Sequence, residues 1–98
     1  MKPVGFVFGQ DVFCPGCARG LEEEAWPLFS FSEADHPLHC DQCGSLVPVM
    51  MTDAGVYYIV DAVRSDRMRG SAVSAEWVRA YFPGRESLAA RLEKRAIA

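Results

Sequence analysis

The chain has 98 residues, half of them apolar and 11% aromatic, with a net charge of −3. That apolar content excludes a disordered body. The length points to one domain with a limited core, which gains from a structural staple. No 18-residue apolar run is present, which excludes a transmembrane helix.

Met1 to Gly9 is too short and too Gly-interrupted for a secretory signal core. The expected location is therefore the cytoplasm, where paired cysteines hold metal more often than they form disulfides. Charge is unevenly spread. Residues 1–50 carry two basic and seven acidic side chains, whereas residues 51–98 carry eight basic and six acidic ones.

In chain order, Phe6-Val7-Phe8 and Val12-Phe13 read as a strand or a bent pair of strands. Glu22-Glu23-Glu24 is an acidic run, whose plain reading is a solvated face. Pro27, Pro37 and Pro48 argue against long helices between residues 26 and 49. Leu46-Val47-Pro48-Val49-Met50 reads as one strand, with Pro48 placing it at an edge. Thr52 and Asp53 suit a helix start, and Val56, Ile59, Val60 and Val63 follow at helical spacing. The rival is a strand over 56–63, because Val56-Tyr57-Tyr58-Ile59-Val60 has high strand propensity. Arg64, Arg67 and Arg69 suit the end of that helix, and Gly70 a stop.

Ser74 is a second N-cap candidate. Trp77, Val78, Tyr81 and Phe82 give a short amphipathic helix stopped by Pro83-Gly84. A last helix is expected over about 85–97, with Leu88, Ala89, Leu92 and Ala96 on one side. Trp77, Tyr81, Phe82, Leu88 and Leu92 are expected to help close the core.

The chain's cysteines fall in two pairs, Cys14-Pro15-Gly16-Cys17 and Cys40-Asp41-Gln42-Cys43, separated by 22 residues. Two residues between cysteines let the backbone turn so that both sulfurs reach one ion, and two such knuckles complete a tetrahedron. Cys14, Cys17, Cys40 and Cys43 are therefore read as ligands of one structural Zn2+, with one-iron substitution left open. Gly44 is the residue a knuckle needs after its second cysteine; Ala18 holds that place in the first pair, where Gly16 could relieve the turn instead. Four protein ligands leave no open metal position, so such a site cannot activate water.

A redox reading of Cys14 and Cys17 leaves Cys40 and Cys43 without a role and lacks the βαβ setting it needs. His36 and His39 flank Cys40. They could replace a cysteine, brace the site, or build an open site with Glu33 or Asp35.

The run from Pro27 to Gly44, with Ser-Glu-Ala-Asp-His-Pro-Leu-His-Cys-Asp-Gln-Cys-Gly at its end, continues into Met51-Thr52-Asp53-Ala54-Gly55-Val56-Tyr57-Tyr58-Ile59. It resembles a loose group of short zinc-ribbon-like proteins of archaea, bacteria, phages and plasmids. Their pattern is Ser-Glu-x-Asp-x-Pro-x-His-Cys-x-x-Cys-Gly, then Leu-Thr-x-x-Gly-x-x-Tyr-Val. This chain has Met51 where the pattern has Leu, and Ile59 where it has Val. The resemblance covers about residues 12–63 and leaves 71–98 without a counterpart. It implies a zinc-holding role for the four cysteines, a helix after Thr52 and a mobile-element origin, and it carries no activity to transfer.

No Ser-His-Asp set, phosphate-binding loop or nucleotide fingerprint is found, so the expectation is a non-enzymatic protein. A protein-binding module is the leading expectation. Glu22, Glu23 and Glu24 beside Trp26, Phe29 and Phe31 would form its surface, against the plainer reading that these aromatics pack beneath the loop. Such a module fits a phage or plasmid accessory, including an anti-defence (anti-CRISPR-like) protein that blocks a host surface. The alternative is nucleic-acid binding through a basic C-terminal helix bearing Arg85, Arg91, Lys94 and Arg95. A sequence pI of about 5.3 weighs against it. The expected fold is α+β in a single domain over 1–98: a β-rich zinc ribbon over 1–50, then two or three helices over 51–98. A homodimer is compatible with the sequence, which does not fix one.

Overall fold

The computed structural model describes residues 1–66 and 72–97, without the side chains of Asp66 and of residues 92–97. It is α+β and divides into two compact units, Met1–Thr52 and Asp53–Ala98. Strands and turns make the first; helices make the second.

In the first unit, β1 (Gly5–Phe8) and β2 (Asp11–Phe13) form an antiparallel hairpin with Phe6 opposite Phe13 and Phe8 opposite Asp11. Gly9 and Gln10 make the two-residue connection. Gly9 has φ 63°, the left-handed value that a glycine-first hairpin turn requires. The third strand, β3 (Trp26–Leu28), pairs antiparallel on the other side of β1, giving the order β2-β1-β3. Pro27 lacks an N–H and is tolerated because β3 is an edge strand, where it also discourages pairing with another chain.

Four two-residue strands follow: β4 (Glu33–Ala34), β5 (Leu38–His39), β6 (Leu46–Val47) and β7 (Met50–Met51). The single strand expected from Leu46 to Met50 is thus split in two. Pro48 cannot donate to a ladder, and the Val49 amide turns back to the Val47 carbonyl at 2.9 Å. The halves then go to different partners. β6 pairs antiparallel with β5, and β7 pairs parallel with β4. Phe6, Ala18, Cys40, Val47 and Val49 are buried, a thin core for a strand-rich unit.

In the second unit, α1 (Asp53–Asp66) settles residues 56–63 as helix. Asp53 lies in its first turn, where a carboxylate suits the helix dipole. Ile59 is fully buried and Val60 and Val63 are half-buried, but Val56 is exposed, so the apolar face is narrower than its spacing suggests. Arg67, Arg69 and Gly70 lie outside the described residues.

The second helix, α2 (Ala72–Tyr81), begins before Ser74. Ser74 is therefore not the cap that its residue type suggests. It is buried within the helix, whose start is extended by the helix-forming Ala72. The third helix, α3, spans Glu86–Ile97. Between them Gly84 takes φ 93°, which ends α2 as Pro83-Gly84 implied. Ala75, Val78 and Ala89 form the buried centre, with Val63, Phe82 and Leu88 packed against it. Trp77 is half-buried, with its ring 5.9 Å from that of Tyr58. Tyr81 is half-buried, and its buried hydroxyl has no hydrogen-bond partner among the described residues. The Leu92 and Ala96 side chains lie outside the described residues.

Candidate metal centre

Two turns bring the cysteines together. β2 runs directly into the first, where the Ala18 N–H donates to the Cys14 carbonyl at 3.0 Å. Ala18 is fully buried, and neither it nor Gly16 has a positive φ. The first knuckle thus closes with ordinary right-handed backbone, and the left-handed residue there is Gly20, beyond it, at φ 88°. The second knuckle follows β5. The Gly44 N–H donates to the Cys40 carbonyl at 2.8 Å, the Cys40 N–H donates to the Ser45 carbonyl at 2.8 Å, and Gly44 has φ 81°. Here the expected glycine role holds.

A reciprocal clamp joins the knuckles. The Asp41 N–H donates to the Val12 carbonyl at 2.8 Å, and the Val12 N–H donates to Asp41 Oδ2 at 2.6 Å. Sγ atoms of all four cysteines consequently lie within 4.8 Å of one another, with Cys14 and Cys43 at 3.6 Å, and none is in a disulfide. A tetrahedron of thiolates about 2.3 Å from a central ion has edges of about 3.8 Å. The cluster matches it after contraction of the longer separations, so the residues fit a four-thiolate metal site.

The protonation pattern agrees with that chemistry. Burial pushes the Cys40 thiol up, but backbone hydrogen bonds from Cys14, Cys43 and Gln42 outweigh it and bring it down to about 6. Ser45, with Oγ 3.0 Å from Cys43 Sγ, lowers the Cys43 pKa. Hydrogen bonding to Cys14, then to Cys40, pushes Cys17 up to about 12. Four sulfurs this close cannot all ionise by themselves, and a divalent cation would take the place of the protons they keep.

Among the described residues the four cysteines are the one group with metal-ligand geometry. His36 and His39 do not join it, and no open site forms with Glu33 or Asp35. The His39 Nδ1 lies 2.9 Å from the Gly44 carbonyl, so His39 braces the second knuckle from behind. The His36 Nδ1 lies 3.0 Å from the Pro37 carbonyl. Asp35 accepts from the Thr52 hydroxyl at 2.5 Å, a bond within the strand unit. Sequence reasoning missed Ser45 and the Asp41 clamp. Their signals were a hydroxyl two residues past Cys43 and a carboxylate directly after Cys40.

The other candidate residues are spread over two surfaces. Glu22, Glu23 and Glu24 are exposed after the first knuckle, and Glu22 Oε2 accepts from the Gly20 N–H at 2.8 Å. Trp26 is 78% exposed and Phe31 57% exposed, so neither packs beneath the loop. Phe29 is half-buried and stacks on Phe31 at 5.3 Å between ring centroids. On the second unit Arg85 and Arg91 are exposed; the Lys94 and Arg95 side chains lie outside the described residues. No helix of the described residues is long and apolar enough to cross a membrane.

Comparison with protein-family models, curated proteins and solved structures finds no match.

Proposed function

We propose that the protein is a non-enzymatic, zinc-stapled protein-binding module. Its strand unit is a zinc ribbon that presents an acidic, aromatic surface to a basic patch on a partner protein. The observation that carries the reading is the exposure of Trp26 and Phe31, close along the chain to the exposed Glu22, Glu23 and Glu24. Large exposed aromatics are the side chains that supply interface energy, and a thiolate-rich unit repels nucleic acid while attracting basic surfaces. The zinc would act as a staple: Cys14, Cys17, Cys40 and Cys43 would hold it and leave no position for substrate. A role as a phage or plasmid anti-defence protein is the narrower form of this reading and rests on the resemblance of residues 12–63.

Two measurements test it. Natively purified protein should contain one zinc per chain, and Cys40→Ser should lose most of it. An affinity pull-down from host lysate should recover one specific partner with the wild type and lose it with Trp26→Ala or with Glu22, Glu23 and Glu24 changed to Lys. Equal capture by all three proteins sinks the proposed surface.

A second reading, nucleic-acid binding, is supported by the helix–turn–helix outline of α2, the Gly84 turn and α3, with Arg85 and Arg91 exposed. It predicts binding that falls steeply with salt and weakens on Arg91→Ala. No binding at low salt removes it.

A further inference from the structure

The helical unit carries a groove that neither reading uses, although Arg85 at its edge also serves the nucleic-acid reading. Between its three helices lies an open groove of about 210 Å³, lined by Val60, Val63, Val78, Phe82 and Leu88 with Arg64 and Arg85 beside them. The apolar lining is the incompletely closed side of the unit's core, since Val63, Phe82 and Leu88 also pack against Ala75, Val78 and Ala89. Both arginines are exposed, and among the described residues neither is in an ion pair with a carboxylate. Apolar surface flanked by guanidinium groups from two elements selects an occupant with apolar and anionic parts.

The groove's size narrows the class of occupant. Pockets that enclose drug-sized ligands run to roughly 300–1,000 Å³, so this one is too small for a whole cofactor and suits one or two apolar side chains. An open trough between helices is the geometry that receives one face of an amphipathic helix. Carboxylates at the edge of that face would meet Arg64 on α1 and Arg85 at the entry to α3, in the bidentate manner that guanidinium favours.

We infer that this groove is a second docking site, distinct from the strand-unit surface, and that its occupant is an acidic amphipathic helix of a partner protein. Aliphatic or aromatic anchors of the helix fill the space over Val60, Val63, Phe82 and Leu88. Its Asp or Glu side chains pair with Arg64 and Arg85. Because those pairs are exposed, they set charge selectivity and salt dependence more than total affinity.

The probe is a fluorescein-labelled synthetic peptide with a Leu face at i, i+3, i+4 and i+7 and Glu on its flanks. A second peptide has the same Leu face with Lys in place of every Glu. Fluorescence anisotropy with the full-length, metal-loaded protein should show saturable binding of the acidic peptide, weakened by raised salt, and no comparable binding of the basic one. The double variant Arg64→Glu/Arg85→Glu, checked by circular dichroism for unchanged helicity, should weaken the acidic peptide about tenfold or more and improve the basic one. Arg91→Glu, outside the groove, should leave both unchanged. Equal binding of the two peptides overturns the proposal, as does insensitivity to the double variant. So does decanoate filling the groove when the acidic peptide does not, or a second copy of the chain occupying it, seen by sedimentation as a dimer that Arg64→Glu/Arg85→Glu abolishes. Trp26→Ala should leave the peptide bound, which keeps this test separate from that of the strand-unit surface.

Discussion

Gly5 is the most tightly enclosed glycine of the strand unit, and Gly5→Ala measures that constraint. A Cβ on Gly5 would lie 2.6 Å from Val47 Cγ1, 3.0 Å from the Phe13 carbonyl oxygen and 3.3 Å from Val47 Cγ2. Carbon atoms pack favourably at about 3.5–4.0 Å, so the closest approach is about 1 Å too short. Val47 is fully buried and β-branched, so it has neither empty space nor a free rotamer to retreat into. Overpacking of this kind costs about 1–3 kcal/mol, less the roughly 0.5–1 kcal/mol that Ala gains over Gly in a strand. A net loss of about 1–2 kcal/mol is expected. Val47→Ala alone removes two buried carbons, about 1.6 kcal/mol of transfer energy plus a cavity contribution. It also removes two of the three close contacts, including the shortest, and leaves the Phe13 carbonyl oxygen at 3.0 Å. The double variant should therefore be more stable than the sum of the single losses implies, by about 1 kcal/mol or more. Guanidinium unfolding of the metal-loaded protein, followed through metal release to a chromophoric chelator, reads the strand unit. A Gly5→Ala loss under about 0.5 kcal/mol, or strict additivity in the double variant, refutes the packing argument.

Three further outcomes are expected. Gly44→Ala should cost about 1–2 kcal/mol through its left-handed backbone alone, because nothing lies within 4 Å of the added Cβ, whereas Gly16→Ala, equally open but without positive φ, should be near neutral; metal-release unfolding of both variants checks this. Tyr81→Phe should be neutral or stabilise the helices by up to about 1 kcal/mol, since burial, then Glu76, raises the hydroxyl's pKa and no partner among the described residues satisfies it. A thermal melt at 222 nm that shows a loss above about 1 kcal/mol would reveal a hydrogen bond made by that hydroxyl. Glu86 has its pKa lowered by hydrogen bonds from its own N–H and from the Gly84 N–H, at the start of α3. A depressed carboxyl stabilises the folded form above its ordinary value of 4.5, and that contribution is lost as pH falls through the folded value. Glu86→Gln should therefore flatten the acid limb of the helix melt below pH 4.5, and an unchanged limb would refute the cap.

The features legible in the chain are those set by short-range physics. Two Cys-x-x-Cys turns can close on one ion only in a few ways, so the clustering of the four candidate ligands could be read from spacing, and Gly44 from the backbone its turn demands. Helical periodicity with Asp53 at one end identified α1 over a competing strand propensity, and Pro83-Gly84 marked the break before α3. The sequence also carried the acidic character of the first half, since charge is simply counted.

Tertiary structure decided everything that depends on what meets what at long range. Pro48 divided one expected strand because two different partners, β4 and β5, compete for its halves. Ser74 became a buried helix residue because packing outweighs a cap preference worth about 1 kcal/mol. Trp26, Phe29 and Phe31 are chemically alike and close in sequence, yet Trp26 and Phe31 face solvent while Phe29 is half-buried. Their fates follow from the edge placement of β3 and the turn beyond it. The Asp41–Val12 clamp and the groove beside Arg64 and Arg85 likewise join residues far apart in the chain. Local chemistry named the candidate metal ligands, while the pairing of distant segments chose which side chains stay exposed.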